Sequence, residues 1–373
     1  MMHKLPLKAD HVGSLLRSAP IQSARKAYQQ KEMTQAELTK VENIEIKKLV
    51  QKQIDIGLKA ITDGEFRRLF WSHDFFVGLD GIEFIEVDRG IRFSDGVKTK
   101  PIAFEIVDKI KFNHHYMIEH FKFLKQTVDE LGDGSQVAKF TIPAPSVIMY
   151  RYVNEREKVI YPDATDMFKD LARAYQEMVQ ALYEAGCRYL QFDDTTLTTF
   201  TDPKFSTMMV ETTGLALPEL LHTIIETTNT ALQDNPEDLT TTVHMCRGNF
   251  RSKSMHADGG YDYVAPFFDQ LNYDAFFLEY DDERSGGFEP LKDIKRRDVE
   301  IVLGLITSKT PTLEDVDYIK NRIQQASRFI PKENLALSPQ CGFASTEEGN
   351  DLTVEQQWAK LSHVIKIAED VWN

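Results

Sequence analysis

Four side chains in the C-terminal half carry the strongest chemical signal: His244 and Cys246 in VHMCRGN, Glu279 in FFLEYD, and Cys341 in SPQCGF. They use two of the chain's three cysteines. One imidazole, two thiolates and one carboxylate are the ligand types that Zn2+ takes in a tetrahedral shell. A lone buried cysteine usually just packs. The His-x-Cys pair says more if it lies on a strand, where residues two apart face the same way. Long stretches of chain separate the other ligands. Such a set needs a fold that already holds it, which favours a site used for chemistry over a structural staple.

Two thiolates and a carboxylate make a metal centre electron-rich, and therefore poor at activating water. It suits an incoming thiol, which loses its proton on coordination. The reaction class that follows is alkylation of a thiol by an activated carbon donor.

These residues must be positioned by regular elements. Apolar, often β-branched runs fall at 11–16, 60–65, 137–145, 189–194, 241–246, 275–281, 300–307 and 335–343, and each is read as a strand. Apolar residues at three- and four-residue steps predict helices over 34–57, 166–186, 211–232, 312–328 and 353–371. This alternation predicts an α/β fold with a parallel sheet, a (β/α)8 TIM barrel spanning 1–373 as a single domain. No G-x-G-x-x-G follows a strand, so a dinucleotide site has no support. Residues 77–120 alternate apolar and polar positions between glycine-bearing turns, predicting a β-hairpin insertion after strand two. In such barrels chemistry sits at the C-terminal ends of the strands. His244, Cys246, Glu279 and Cys341 all fall there, as do Ser14, Asp63, Glu65, Asp193 and Asp194.

Glu65 and Asp193 are carboxylates suited to a substrate ammonium. Val12-Gly13-Ser14 offers backbone N–H groups and a hydroxyl to a substrate carboxylate, with Gly13 permitting close approach. A thiol-bearing amino acid satisfies both. The plainer alternatives are an ion pair of Glu65 with Arg67 or Arg68, and a helix cap or core salt bridge for Asp193. Arg247 and Arg284 flank the metal strands and could hold an anionic donor, or Arg284 could simply pair with Asp281–Glu283. His114, His115 and His120 read as exposed, Cys187 as core, and His256 as a loop residue near the mouth.

The chain has 44 basic and 58 acidic residues, a net charge of −14. That balance argues against general binding to nucleic acid or anionic membranes. No apolar run approaches the length of a membrane span, and the N-terminus shows no secretory h-region. Three cysteines do not make a disulfide framework. A cytoplasmic setting is expected.

The segments HVGSLLR, TDGEFRR, LQFDD, VHMCRGN, FLEYD and SPQCGF, in this order, resemble the catalytic domain of the cobalamin-independent methionine synthase family. The resemblance implies a (β/α)8 barrel that transfers a methyl group to the sulfur of homocysteine on zinc. It implies His244, Cys246, Glu279 and Cys341 as zinc ligands. It implies Val12, Ser14, Glu65 and Asp193 as the homocysteine cradle, Val12 and Ser14 through their backbone. The donor would be 5-methyltetrahydrofolate or another methyl donor. Three departures bear on the donor. There is room for one barrel where the full-length synthases have two. The stretch after strand three, TIPAPSVIMYRY, has Tyr150 and Tyr152 but no Trp. Thr307 stands where the family's proposed proton-donor His is expected. Alkyl transfer to another thiol, as in coenzyme M-type epoxide opening, and non-catalytic binding of zinc and a thiol amino acid remain alternatives.

Overall fold

The computed structural model describes residues 6–254 and 260–372. Among the described residues there are eleven strands: β1 Ala60–Ile61, β2 Asp80–Glu86, β3 Ile102–Lys111, β4 Val137–Pro143, β5 Tyr189–Asp194, β6 Thr240–Met245, β7 Asn249–Phe250, β8 Lys253–Ser254, β9 Ala275–Glu279, β10 Glu300–Ile306 and β11 Leu335–Pro339. Seven form one curled sheet in the order β1-β4-β5-β6-β9-β10-β11, every pair parallel. This is a mixed α/β fold whose seven parallel strands curl into a half-barrel, consistent with a TIM-like barrel.

The expected strand at 11–16 is not a strand. Only Ala9 bridges to the sheet, at Leu337. The Asp10 N–H donates to the Leu337 carbonyl at 3.0 Å, and the Leu15 N–H donates to the Gly64 carbonyl at 3.0 Å. The segment thus bonds to β11 on one side and to the turn after β1 on the other. Gly13, at φ +130°, breaks its extended course, and a Cβ there would lie 2.7 Å from Thr141 Cγ2. Only glycine fits that approach.

Side-chain alternation divides the core. Phe277, Val302 and Ala336 form a small cluster inside the sheet's curve. Their strand neighbours Phe276, Leu278, Ile301, Leu303, Leu335 and Leu337 join the large cluster beneath the helices. The concave side also buries charge. Lys139 Nζ pairs with Asp10 Oδ1 at 3.0 Å, Tyr189 donates to Asp10 Oδ2 at 2.5 Å, and Lys139 sits 4.2 Å from the Phe277 ring centre.

Four of the five expected helices appear within a few residues of their bounds, at Gln35–Asp55, Ala164–Glu184, Val316–Ala326 and Val354–Trp372. The expected 211–232 helix is two, Pro203–Thr213 and Leu217–Ala231. Gly214 in the left-handed region stops the first, and Pro218 opens the second. No helix among the described residues is long and apolar enough to cross a membrane.

β2 and β3 pair antiparallel. The loop joining them reaches the antiparallel β7–β8 pair. Phe93 meets Phe250 with ring centres 5.2 Å apart, and Lys253 pairs with Asp95 at 2.8 Å. His115 is buried, against expectation, with Nε2 2.9 Å from the Phe75 carbonyl. It lies under the first turn of the helix Met117–Leu131 rather than on its outer face. His114 is exposed and His120 half-buried. Cys187 is buried, and His256 lies outside the described residues.

Candidate active site

The strand ends bring three of the four predicted ligands, His244, Cys246 and Cys341, into one cluster, whereas Glu279 groups with Asp281 and Asp282 beside it. His244 pairs in register with Asp193 across β5 and β6, and Glu279 pairs with Gly304 across β9 and β10. Cys246 follows β6 directly, and Cys341 follows β11. The donor atoms of His244, Cys246 and Cys341 all lie within 4.8 Å of one another. The two sulfurs are 3.5 Å apart, and Cys246 Sγ is 3.8 Å from Glu279 Oε2. Two sulfurs on one tetrahedral zinc, each about 2.3 Å from the ion, are roughly 3.8 Å apart. The set therefore fits the ion.

A second observation supports the fit. Both ring nitrogens of His244 are buried and make no well-formed hydrogen bond, the Cys341 thiol being the polar group beside the ring. A bare buried imidazole is costly unless something satisfies it. The thiols also share charge. A hydrogen bond from Cys246 holds the Cys341 thiol well below its usual range, with His244 and Asn249 helping and burial opposing. The same contact pushes Cys246 up. The Gly248 N–H donates to Cys246 Sγ at 3.2 Å.

Glu279 is the most constrained member. Oε1 is 3.1 Å from Lys309 Nζ and 3.4 Å from Arg284 Nη2, and Oε2 accepts from the Arg247 N–H at 3.1 Å. Lys309 also pairs with Asp281 at 3.0 Å. Arg284 pairs with Asp282 at 2.7 Å, so the plainer reading of Arg284 holds. Arg247 donates to the Arg284 carbonyl and lies over the Tyr261 ring.

A cavity opens at the strand ends. Val12, Ser14, Glu65, Asp193, His244, Cys246 and Cys341 line it; Glu279 lies behind its wall. Ser14 packs on the Cys341 loop so tightly that a Cβ on Gly342 would meet its Oγ at 1.9 Å. Glu65 is buried at φ +57°, a strained conformation for a non-glycine residue. Its Oε1 accepts from Thr141 Oγ1 at 2.8 Å and pairs with Arg68 at 3.2 Å; its Oε2 is buried without a partner. The expected alternative thus accounts for one oxygen only. Asp193 Oδ1 accepts from Gln191 at 2.8 Å. Burial, with Glu65 adding, pushes its carboxyl up to about 7 against the pull of His244. The capping expected as an alternative for Asp193 falls to Asp194, which accepts from the Thr196 and Leu197 N–H groups.

Thr307 does not line the cavity; its N–H donates to Glu314. Lys309, two residues on, reaches the site instead. Sequence reasoning missed Lys309 and an aromatic wall of Phe70, Trp71, Phe93 and Phe250. Trp71 lies three residues after the TDGEFRR motif, which was the available signal.

The family model described as the cobalamin-independent synthase catalytic domain matches residues 7–369. The uncharacterized protein YxjH of Bacillus subtilis is 49% identical over 371 residues, covering 99% of this chain and 96% of that one. A solved Listeria monocytogenes structure, described as a putative vitamin-B12-independent methionine synthase, superposes with TM-score 0.78 at 43% identity, covering 99% of this chain and 98% of that one. A B12-independent methionine synthase from Shewanella sp. W3-18-1, solved with selenomethionine, shares the fold with TM-score 0.75 at 20% identity, covering 98% of this chain and 97% of that one. The chain belongs to the cobalamin-independent methionine synthase family.

Proposed function

We propose that this protein transfers a methyl group to the thiol of homocysteine, giving methionine, with zinc held by His244, Cys246, Glu279 and Cys341. In this reading residues 8–15 take the eighth place of a (β/α)8 barrel, and residues 77–120 are inserted at its mouth. One observation carries it. A buried imidazole with no well-formed hydrogen bond and two sulfurs 3.5 Å apart face the same cavity as a buried carboxylate oxygen that lacks a partner.

Bound zinc would strip the proton from an incoming thiol and keep the sulfur nucleophilic. Glu65 and Asp193 hold the substrate ammonium, and the Val12–Ser14 turn receives its carboxylate. This places the sulfur beside Cys246 and Cys341. Lys309 and Arg284 both pair with Glu279 Oε1, which would leave this carboxylate the weakest of the four ligands when zinc is bound. The acceptor sulfur then attacks the donor methyl in line, and positioning supplies much of the rate. The donor is a methyl-folate or another methylated compound.

Replacing Cys341 with Ser tests the reading. Zinc content and thiol methylation should fall together. Retention of both would end it.

A further inference from the structure

The donor side of the cavity has its own chemistry. Phe70, Trp71, Phe93, Tyr150 and Phe250 line it. Phe93 comes from the loop over the mouth, and the Lys253–Asp95 ion pair ties that loop across to β8. Aromatic faces attract a cation placed over them. The carboxylates on the lining are Glu65, Asp193 and Asp194, and no Lys or Arg lines the cavity among the described residues. The cavity measures about 80 Å3 and opens to solvent at its mouth.

We propose that the donor site takes a compact methylsulfonium cation, held by the aromatic wall, rather than a polyanionic pteridine. This rests on the thiol-methylation reading above. Three further points agree with it. The chain carries a net charge of −14, whose field favours cationic over polyanionic ligands. The methyl transfer balances without an acid. The acceptor thiolate forms a bond to the methyl carbon, the methyl–sulfonium bond breaks, and its electron pair leaves on a neutral thioether. The only proton released is the acceptor thiol's own. A pteridine nitrogen leaving group must instead be protonated. Among the described residues the cavity histidine besides His244 is His73, which burial lowers to about 4, so it is neutral near pH 7.

The test has two arms. Calorimetry on the purified zinc-loaded protein uses tetramethylammonium, which transfers nothing, and neutral tert-butanol as a size control. Tetramethylammonium should bind saturably and tert-butanol should not. Phe93→Leu, which keeps apolar volume, should weaken the cation by about tenfold and leave homocysteine affinity unchanged. Phe250→Leu should repeat the effect if the first variant misfolds. In the second arm, trimethylsulfonium with homocysteine should yield methionine, and 5-methyltetrahydropteroyltriglutamate should not. No preference for the cation, or transfer from the folate alone, overturns the donor site and leaves the thiol reading intact. A zinc shell indifferent to homocysteine removes the thiol reading itself.

Discussion

Glu65→Gln separates an ammonium-binding carboxylate from a structural one. Glu65 Oε1 already has Thr141 at 2.8 Å and Arg68 at 3.2 Å, whereas Oε2 is buried and bare. Glutamine keeps an oxygen for Thr141 and removes the charge that faces the ligand. Arg68 retains the Thr141 carbonyl at 2.5 Å, so the wall should stand. Removing one partner of a buried charge pair costs about 2–5 kcal/mol. Asp193 remains as a second carboxylate, which favours the lower part of that range. A loss of about 2–3 kcal/mol makes homocysteine binding roughly 30- to 150-fold weaker. The control ligand is 4-mercaptobutanoate, which keeps thiol and carboxylate but lacks the amine. Its affinity should change less than about threefold, since it makes no ion pair at this position. Calorimetric titration of both thiols against both proteins decides the matter. Equal losses would make Glu65 a structural partner of Arg68. No loss for homocysteine would mean that the acceptor carries no ammonium there.

Lys139→Met leaves Asp10 buried beside Tyr189 without its cation. The cost should be about 3–5 kcal/mol, read by thermal unfolding as a fall of roughly 5 °C for a chain of 373 residues. Lys309→Met should retain zinc but slow methyl transfer about 10- to 100-fold, because Glu279 then holds the metal more firmly; metal analysis beside steady-state rates checks this, and unchanged rates would refute it. Burial lowers His11, His73 and His115 to about 4. Between pH 6.5 and 4 the unfolded chain binds protons on these rings that the folded one does not. Each ring therefore removes stability as pH falls through that window, by about 1.4 kcal/mol per pH unit. Denaturant titrations at pH 7 and pH 5 should show this loss, and equal midpoints would contradict it.

The clustering of His244, Cys246 and Cys341 was legible because strand ends in a parallel sheet converge on one rim, so residues distant in sequence become neighbours. Six of the eight expected strands lie close to their predicted places. A seventh, 60–65, shrinks to the two residues of β1. The eighth, 11–16, failed because Gly13 gives up extended geometry for a close approach to Thr141, a tertiary demand that no local pattern reports. Lys309 was missed because a lysine beyond a strand normally points to water; here three carboxylates, on Glu279, Asp281 and Asp282, draw it inward. His115 was misread for a similar reason. Its charged neighbours suggest exposure, but Phe75 and Gly78 pack against the ring. The aromatic wall draws on three separate segments, and no spacing rule links Trp71, Phe93 and Phe250.

The most direct measurement is zinc content with zinc-edge X-ray absorption, taken with and without homocysteine. The account predicts one zinc per chain with two sulfur neighbours, rising to three when homocysteine is added. A protein that binds no zinc, or whose zinc shell is unchanged by homocysteine, would contradict it.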